Sequence, residues 1–276
     1  MTDSSDSTGV DGVVRLPGAT RPVALVTGPT SGIGRGYALR LASLGYDLVL
    51  VARDETRLAA LAAEAQTRFG TRSELLPADL AVAAARDRVT ARLAEGVQFL
   101  VNNAGFGLGG EFWTVDPAEL QAQLDVNVTA VLQLTRAALP PMIAAATGSV
   151  VNVASVAGLI PGRGSTYSAA KAYVISLTEG LAGGLVGTGV RMQALCPGFV
   201  HTEFHERAGI AMESLPKALW LEVDRVVAGS LHDLDKDRVI SVPGAQYKVL
   251  TTVAGMIPRP VVSRLNRGLF NARGRT

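Results

Sequence analysis

One cysteine, Cys196, is present among 276 residues. Disulfide bonds within the chain are therefore excluded, and so is a metal site built on several thiolates. That usage suits a reducing compartment, and the expected localisation is cytoplasmic. Aromatic residues are scarce at 5% of the chain, and the formal net charge is only +2. The first leaves little surface for stacking on bases, and the second supplies no field that would draw a polyanion. A nucleic-acid partner is not expected. The N-terminus lacks the basic start and apolar run of a secretion signal; Met1 to Thr20 is rich in Ser, Thr, Asp and Gly and reads as a flexible tail. One long stretch, Ala137 to Gly162, lacks charge altogether, but Pro140, Pro141, Thr147, Gly148, Asn152 and Ser155 interrupt it. Those interruptions argue against a membrane span.

What is present is 48% hydrophobic residues, ample for a core, in alternating strand-like and helix-like runs. Pro22–Thr27, Asp47–Ala52, Leu75–Leu76, Val97–Val101, Ser149–Val153, Val190–Leu195 and Arg238–Val242 read as strands. Helices are expected at 32–44, 54–69, 81–95 and 165–186, with one long helix from Pro117 to about Ala146 that Pro140 and Pro141 should kink or end. Near-continuous apolar strands imply burial on both faces. Strict alternation then gives a doubly wound α/β fold of the Rossmann type, one domain with a parallel sheet of about seven strands. The expected division is a tail over 1–20, a catalytic domain over 21–248 with a substrate loop at about 199–221, and a basic C-terminal extension over 249–276. Such sheets bind ligands beyond the carboxyl ends of their strands.

The motifs fall at those ends. Thr27-Gly28-Pro29-Thr30-Ser31-Gly32-Ile33-Gly34 joins the first strand to the first helix. Its glycines let backbone approach a pyrophosphate, and the helix N-terminus offers free N–H groups. After the second strand come Arg53 and Asp54. An arginine there suits a ribose 2′-phosphate, whereas an acid suits a 2′-hydroxyl. Arg53 therefore favours NADP(H). Asp54 reads as the cap of the next helix and is the residue through which NAD(H) would be accommodated. Tyr167 and Lys171 are four apart on an expected helix, so phenol and ammonium share one face. A free tyrosine titrates at about 10, and a nearby ammonium favours the phenolate. Ser155 stands twelve residues earlier, at the end of the fifth strand.

The order TGxxxGIG, Asn102-Asn103-Ala104-Gly105, Asn127, Ser155, YxxxK and Pro197-Gly198-Phe199-Val200-His201-Thr202 resembles the short-chain dehydrogenase/reductase family. The likeness runs from about Pro22 to Thr202, in the manner of the branch containing ketoacyl and hydroxysteroid reductases. Pro29 departs from the family, which usually has a residue bearing an N–H there. The resemblance implies a catalytic set of Asn127, Ser155, Tyr167 and Lys171. Tyr167 would exchange a proton with substrate, Ser155 orient the reacting oxygen, Lys171 hold the nicotinamide ribose and depress the tyrosine, and Asn127 hold a water. It further implies a cofactor site formed by Gly28, Thr30, Ser31, Gly32, Ile33, Gly34, Arg53, Asp79, Leu80, Asn103, Ala104, Gly105, Tyr167, Lys171, Pro197, Gly198, Val200 and Thr202. The family's dimers and tetramers imply a homodimer or homotetramer.

The remaining features carry less. His201 and His205 are four apart, but HTEFH is not the HExxH of a zinc site, and no metal is expected. Cys196 has no evident activating partner. Gly183 and Gly184 interrupt a helix, and close packing at a subunit interface is the one use suggested. From Val249 to Thr276 there are five arginines and no acid. Such a segment can lie on an anionic membrane; packing on a neighbouring subunit, or a loose end, is preferred. An apolar substrate wall is expected from Phe106, Leu108, Leu159, Ile160, Phe199, Phe204, Ile210, Met212, Leu215, Leu219 and Trp220. It lacks a basic clamp and suits a lipophilic ketone, aldehyde or alcohol. Two other classes remain: an NADP(H)-binding sensor without turnover, and a peripheral membrane protein.

Overall fold

The computed structural model describes residues 21–160, 166–203, 216 and 219–256. The tail over 1–20 and the extension beyond 256 lie outside the described residues, as do Phe204, His205, Ile210, Met212 and Leu215. Seven parallel strands form the sheet: β1 (Val23–Thr27), β2 (Asp47–Ala52), β3 (Ser73–Pro77), β4 (Phe99–Asn102), β5 (Gly148–Val153), β6 (Val190–Leu195) and β9 (Ile240–Ser241). Their order is β3-β2-β1-β4-β5-β6-β9. The order reverses between β1 and β4, so the switch point of a doubly wound sheet lies there. Two further short strands, β7 (Phe199–Val200) and β8 (Trp220–Leu221), pair with each other in parallel.

Alternation along the strands divides the core. Val23 and Leu25 of β1, with Val49 and Val51 of β2, pack under α3 (Ala83–Ala94) and α5 (Val131–Ala144). Ala24, Val26, Leu48 and Leu50 face the other way, onto α1 (Gly32–Ser43), α2 (Glu55–Phe69) and α8 (Val223–Leu234). Every residue of β1 is buried, which is why these strands read as unbroken apolar runs. Asp54 caps α2 by accepting from the Arg57 N–H at 2.9 Å, and Asp116 caps α4 (Pro117–Leu124) through the Ala118 N–H at 2.8 Å.

The structure departs from expectation where helices meet function. The single helix expected from Pro117 is three pieces: α4, a π-helical turn at Asp125–Ala130, and α5. Widened turns of this kind gather at functional sites, and this one contains Asn127. α5 continues one turn beyond Pro140 and Pro141, to Ala144. A short helix α6 (Val156–Leu159) precedes α7 (Thr166–Gly184), which carries Tyr167 and Lys171. Gly183 and Gly184 end α7 with open space where a Cβ would stand. The helices α8 and α9 (Ala245–Met256) were not among the expected elements, although α8 buries Val226, Val227, Ser230 and Leu234 along one face; α9 crosses the position 248/249 where the basic extension was expected to begin.

Candidate functional site

At the β1–α1 turn, Thr27 and Asn103 fasten the sheet's switch point. The Thr27 hydroxyl oxygen accepts from the Asn103 and Ala104 N–H groups at 2.9 and 3.0 Å. The Asn103 side-chain amide donates to the carbonyls of Thr27 (2.9 Å) and Gly28 (3.0 Å). Gly34 is where glycine is obligatory, because a Cβ there would collide with the Gly28 carbonyl and the Asn103 amide. Ser31 stands at the N-cap of α1 without a side-chain cap, so the first N–H groups of that helix keep their donors for a ligand. Thr30, Ser31, Gly32 and Ile33 are partly exposed around it. Thr202 closes the cradle from the far side: its methyl would lie 2.8 Å from a Cβ on Gly32.

The end of β2 separates the two residues that bear on cofactor choice. Arg53 is exposed, with no hydrogen bond or ion pair among the described residues. Asp54 is occupied by its capping bond to Arg57. Asp79 accepts from the Ala81 N–H at 2.9 Å. Leu80 and Val200 turn their side chains into the core, so only their backbone is available to a ligand.

Beyond β4 and β5 the expected catalytic residues converge. Asn127, fully buried, accepts from the Phe106 N–H (3.0 Å) and donates to its carbonyl (2.8 Å). It thereby fixes the loop after Gly105, where a Cβ would lie 2.9 Å from its Oδ1 and 3.4 Å from Lys171 Nζ. Ser155 is the N-cap of α6, accepting from the Ala157 N–H at 3.1 Å, and it shares a hydrogen bond with Tyr167. Lys171, 4% exposed, donates to the Val153 carbonyl at 2.7 Å, and its Nζ lies 5.6 Å from the centre of the Tyr167 ring.

Burial pushes the Tyr167 phenol up to about 12, against the opposing Ser155 hydrogen bond, and pulls the Lys171 ammonium down to about 8. Burial likewise pushes the Cys196 thiol up to about 12, which makes it a packing residue and not a nucleophile.

The short chain dehydrogenase pattern matches residues 22–212, more than half of the chain. The chain belongs to the short-chain dehydrogenase family. Sulfoacetaldehyde reductase 2 of Chromohalobacter salexigens is 40% identical over 188 residues, 66% of this chain and 74% of that protein. A short-chain dehydrogenase from Sphingobium yanoikuyae, solved in complex with NADPH, is 37% identical with a TM-score of 0.78, covering 86% of this chain and 96% of the other. A bulky-bulky ketone specific alcohol dehydrogenase from Comamonas testosteroni is 29% identical with a TM-score of 0.73, covering 87% and 96%. This short-chain dehydrogenase is thus an oxidoreductase by family.

Sequence reasoning missed how the far wall of the short-chain dehydrogenase is held. Tyr247 of α9, 2% exposed, packs its ring where a Cβ on Gly198 would stand. Its hydroxyl accepts from the Phe199 N–H at 2.9 Å and donates to the Leu219 carbonyl at 2.5 Å. One side chain therefore ties both ends of the segment 199–219 to α9. No motif marks it; the contacts span 48 and 28 residues. His201 stacks on Trp220 with ring centres 4.5 Å apart. A buried polar ladder also passed unnoticed: Asn102 donates to Asn152 (2.8 Å) and Thr135 (3.0 Å), and Asn152 to Thr178 (3.0 Å). It locks β4, β5, α5 and α7 together beneath Ser155, Tyr167 and Lys171.

Proposed function

We propose that the protein reduces the carbonyl of a lipophilic substrate with NADPH, the reverse oxidation using the same residues. The observation that carries this reading is the Tyr167 hydroxyl, on a partly buried side chain, hydrogen-bonded to Ser155 with Lys171 beside it. Held up to about 12, the phenol is protonated at neutral pH and so stands as a general acid. The nicotinamide supplies the hydride to the carbonyl carbon. Tyr167 gives its proton to the carbonyl oxygen, leaving an alcohol. Ser155 orients that oxygen with the donor capacity its capping role leaves free. Lys171 and the Asn127-pinned loop fix the geometry, which is where most of the protein's contribution to such chemistry lies.

The free Arg53, set against a capped Asp54, supports NADP(H) over NAD(H), as does the NADPH complex of the Sphingobium relative. The uncapped N-terminus of α1 and the close fit at Gly34 suit a pyrophosphate. Phe106, Leu108, Leu159, Ile160, Phe199, Leu219 and Trp220 are partly buried, and none is basic. That supports a bulky apolar carbonyl, as in the Comamonas relative, over an anionic one such as sulfoacetaldehyde. A homodimer or homotetramer in the cytoplasm and a catalytic domain over 21–248 belong to the same reading.

The test is binding of NADPH and NADH to wild type and Tyr167→Phe, followed by NADPH oxidation with bulky ketones, 3-oxoacyl thioesters and sulfoacetaldehyde. NADPH should bind both forms, and turnover with the apolar carbonyls should fall by about 10²–10⁴ in the variant. NADPH binding with no turnover on any carbonyl would favour the sensor class. No binding of either nucleotide would overturn the reading.

A further inference from the structure

Outside the site described above, α8 and α9 border a cleft of about 270 Å³. Arg225, His232, Lys236, Arg238 and Lys248 line it, with Asp233 as the one carboxylate. Asp233 is already committed, one oxygen accepting from Arg238 at 2.7 Å and the other from Ser241 at 2.8 Å. Arg225, His232, Lys236 and Lys248 are exposed, and their side chains have no hydrogen bond or ion pair among the described residues. The neighbouring acids Asp224, Asp235 and Asp237 do not line the cleft. Arg225 and His232, seven apart on α8, share one helix face, and Lys236 follows in the turn after the helix.

An apolar ridge adjoins this cleft. At about 100° per residue, Val249, Val253 and Leu250 follow Lys248 around α9, while Tyr247 points to the core. Val249, Leu250 and Val253 are 64%, 47% and 52% exposed. The sequence that follows keeps the same sign, with five arginines and no acid from Val249 to Thr276. Exposed aliphatics on one helix beside unneutralised cations are the two requirements for binding an anionic bilayer surface.

We propose that this face docks on anionic phospholipid. The cleft cations meet headgroup phosphates, and Val249, Leu250 and Val253 enter the acyl boundary. The contact lies on a surface and does not span the bilayer; no described helix is long and apolar enough to cross one. The proposal stands independently of the substrate reading.

Flotation of the full chain with vesicles tests it. Wild type should float with phosphatidylcholine containing phosphatidylglycerol, not with phosphatidylcholine alone, and high salt should release it. Each basic residue near such a surface is worth about fivefold in partitioning. Lys236→Glu with Lys248→Glu should therefore cut binding by at least about tenfold, and Val249→Ser with Val253→Ser should also lower it. Circular dichroism should show both variants folded. No flotation of wild type, or flotation unchanged in both variants, would overturn the proposal. So would light scattering that shows the valine variant dissociating an oligomer while wild type ignores vesicles, which would assign the ridge to a second copy of the chain.

Discussion

Around the β1–α1 turn, the contacts that shape the cradle join neighbouring strands: Thr27 and Gly28 at the end of β1 meet Asn103 and Ala104 at the end of β4. Across the cleft, the wall formed by Pro197–Thr202 depends on remote partners. Tyr247 reaches Phe199 and Leu219 from α9, and Glu203 pairs with Arg57 at 3.2 Å. The first region joins two recognisable motifs that lie about 75 residues apart in sequence but at the ends of adjacent strands. The second joins α9 to the segment after β6 through Tyr247, a side chain that no motif marks. Conserving a chemistry while changing a substrate is easier in the second kind of structure, because its parts can vary without disturbing the phosphate cradle.

The sharpest way to break this contrast is Gly34→Ala. The added carbon meets the backbone of Gly28, which cannot yield cheaply. NADPH affinity should fall by about 10² or more, measured by fluorescence titration, with circular dichroism little changed. Gly198→Ala should instead displace the Tyr247 ring and raise KM for the carbonyl more than it weakens NADPH. Equal losses of NADPH affinity in both would abolish the distinction.

Lys171 lies at the seam between the regions. Its amine titrates at about 8 when folded and at about 10.4 when unfolded. The unfolded chain therefore holds more protons between those values, and this residue's contribution to stability rises with pH from 8 to 10.4. Below that window, keeping the ammonium buried costs about 3 kcal/mol. Lys171→Met should raise the melting temperature at pH 7 even as it abolishes turnover, and the advantage over wild type should shrink as the pH approaches 10.4. A constant difference across that range would show that the ammonium is not the source.

Arg53→Ala should weaken NADPH by about 10–100-fold, the scale of one charge-assisted hydrogen bond. NADH should change little, as parallel titrations will show. Smallest is Tyr247→Phe, which keeps the ring against Gly198 but deletes both hydrogen bonds. KM for the carbonyl should rise by about five- to tenfold, from the roughly 1 kcal/mol such bonds contribute. NADPH affinity should hold. If kcat falls and KM stays constant, the segment 199–219 is not what Tyr247 positions.

Much of this was readable in advance. The β2 and β6 boundaries match those expected from the apolar runs, and Asp54 and Asp116 cap the helices that follow them. The break at Asp125–Ala130 was not readable, because the segment holds neither the glycine nor the proline that would signal one. The turn widens where Asn127 reaches the Phe106 backbone. The rise at Tyr167 was hidden too: YxxxK announces an ammonium nearby, but not that it would be buried and bonded to Val153.

The alternating architecture, the glycine-rich turn and the candidate proton donor Tyr167 were legible in the residue pattern, because burial alternation and glycine spacing are written over a few neighbouring positions. The burial of Lys171 against Val153, the clamp at Tyr247 and the cationic face beside α8 and α9 emerged only from the folded arrangement. Desolvation, long-range hydrogen bonds and unneutralised charge are properties of what surrounds a residue, and those surroundings come from segments far away in the chain.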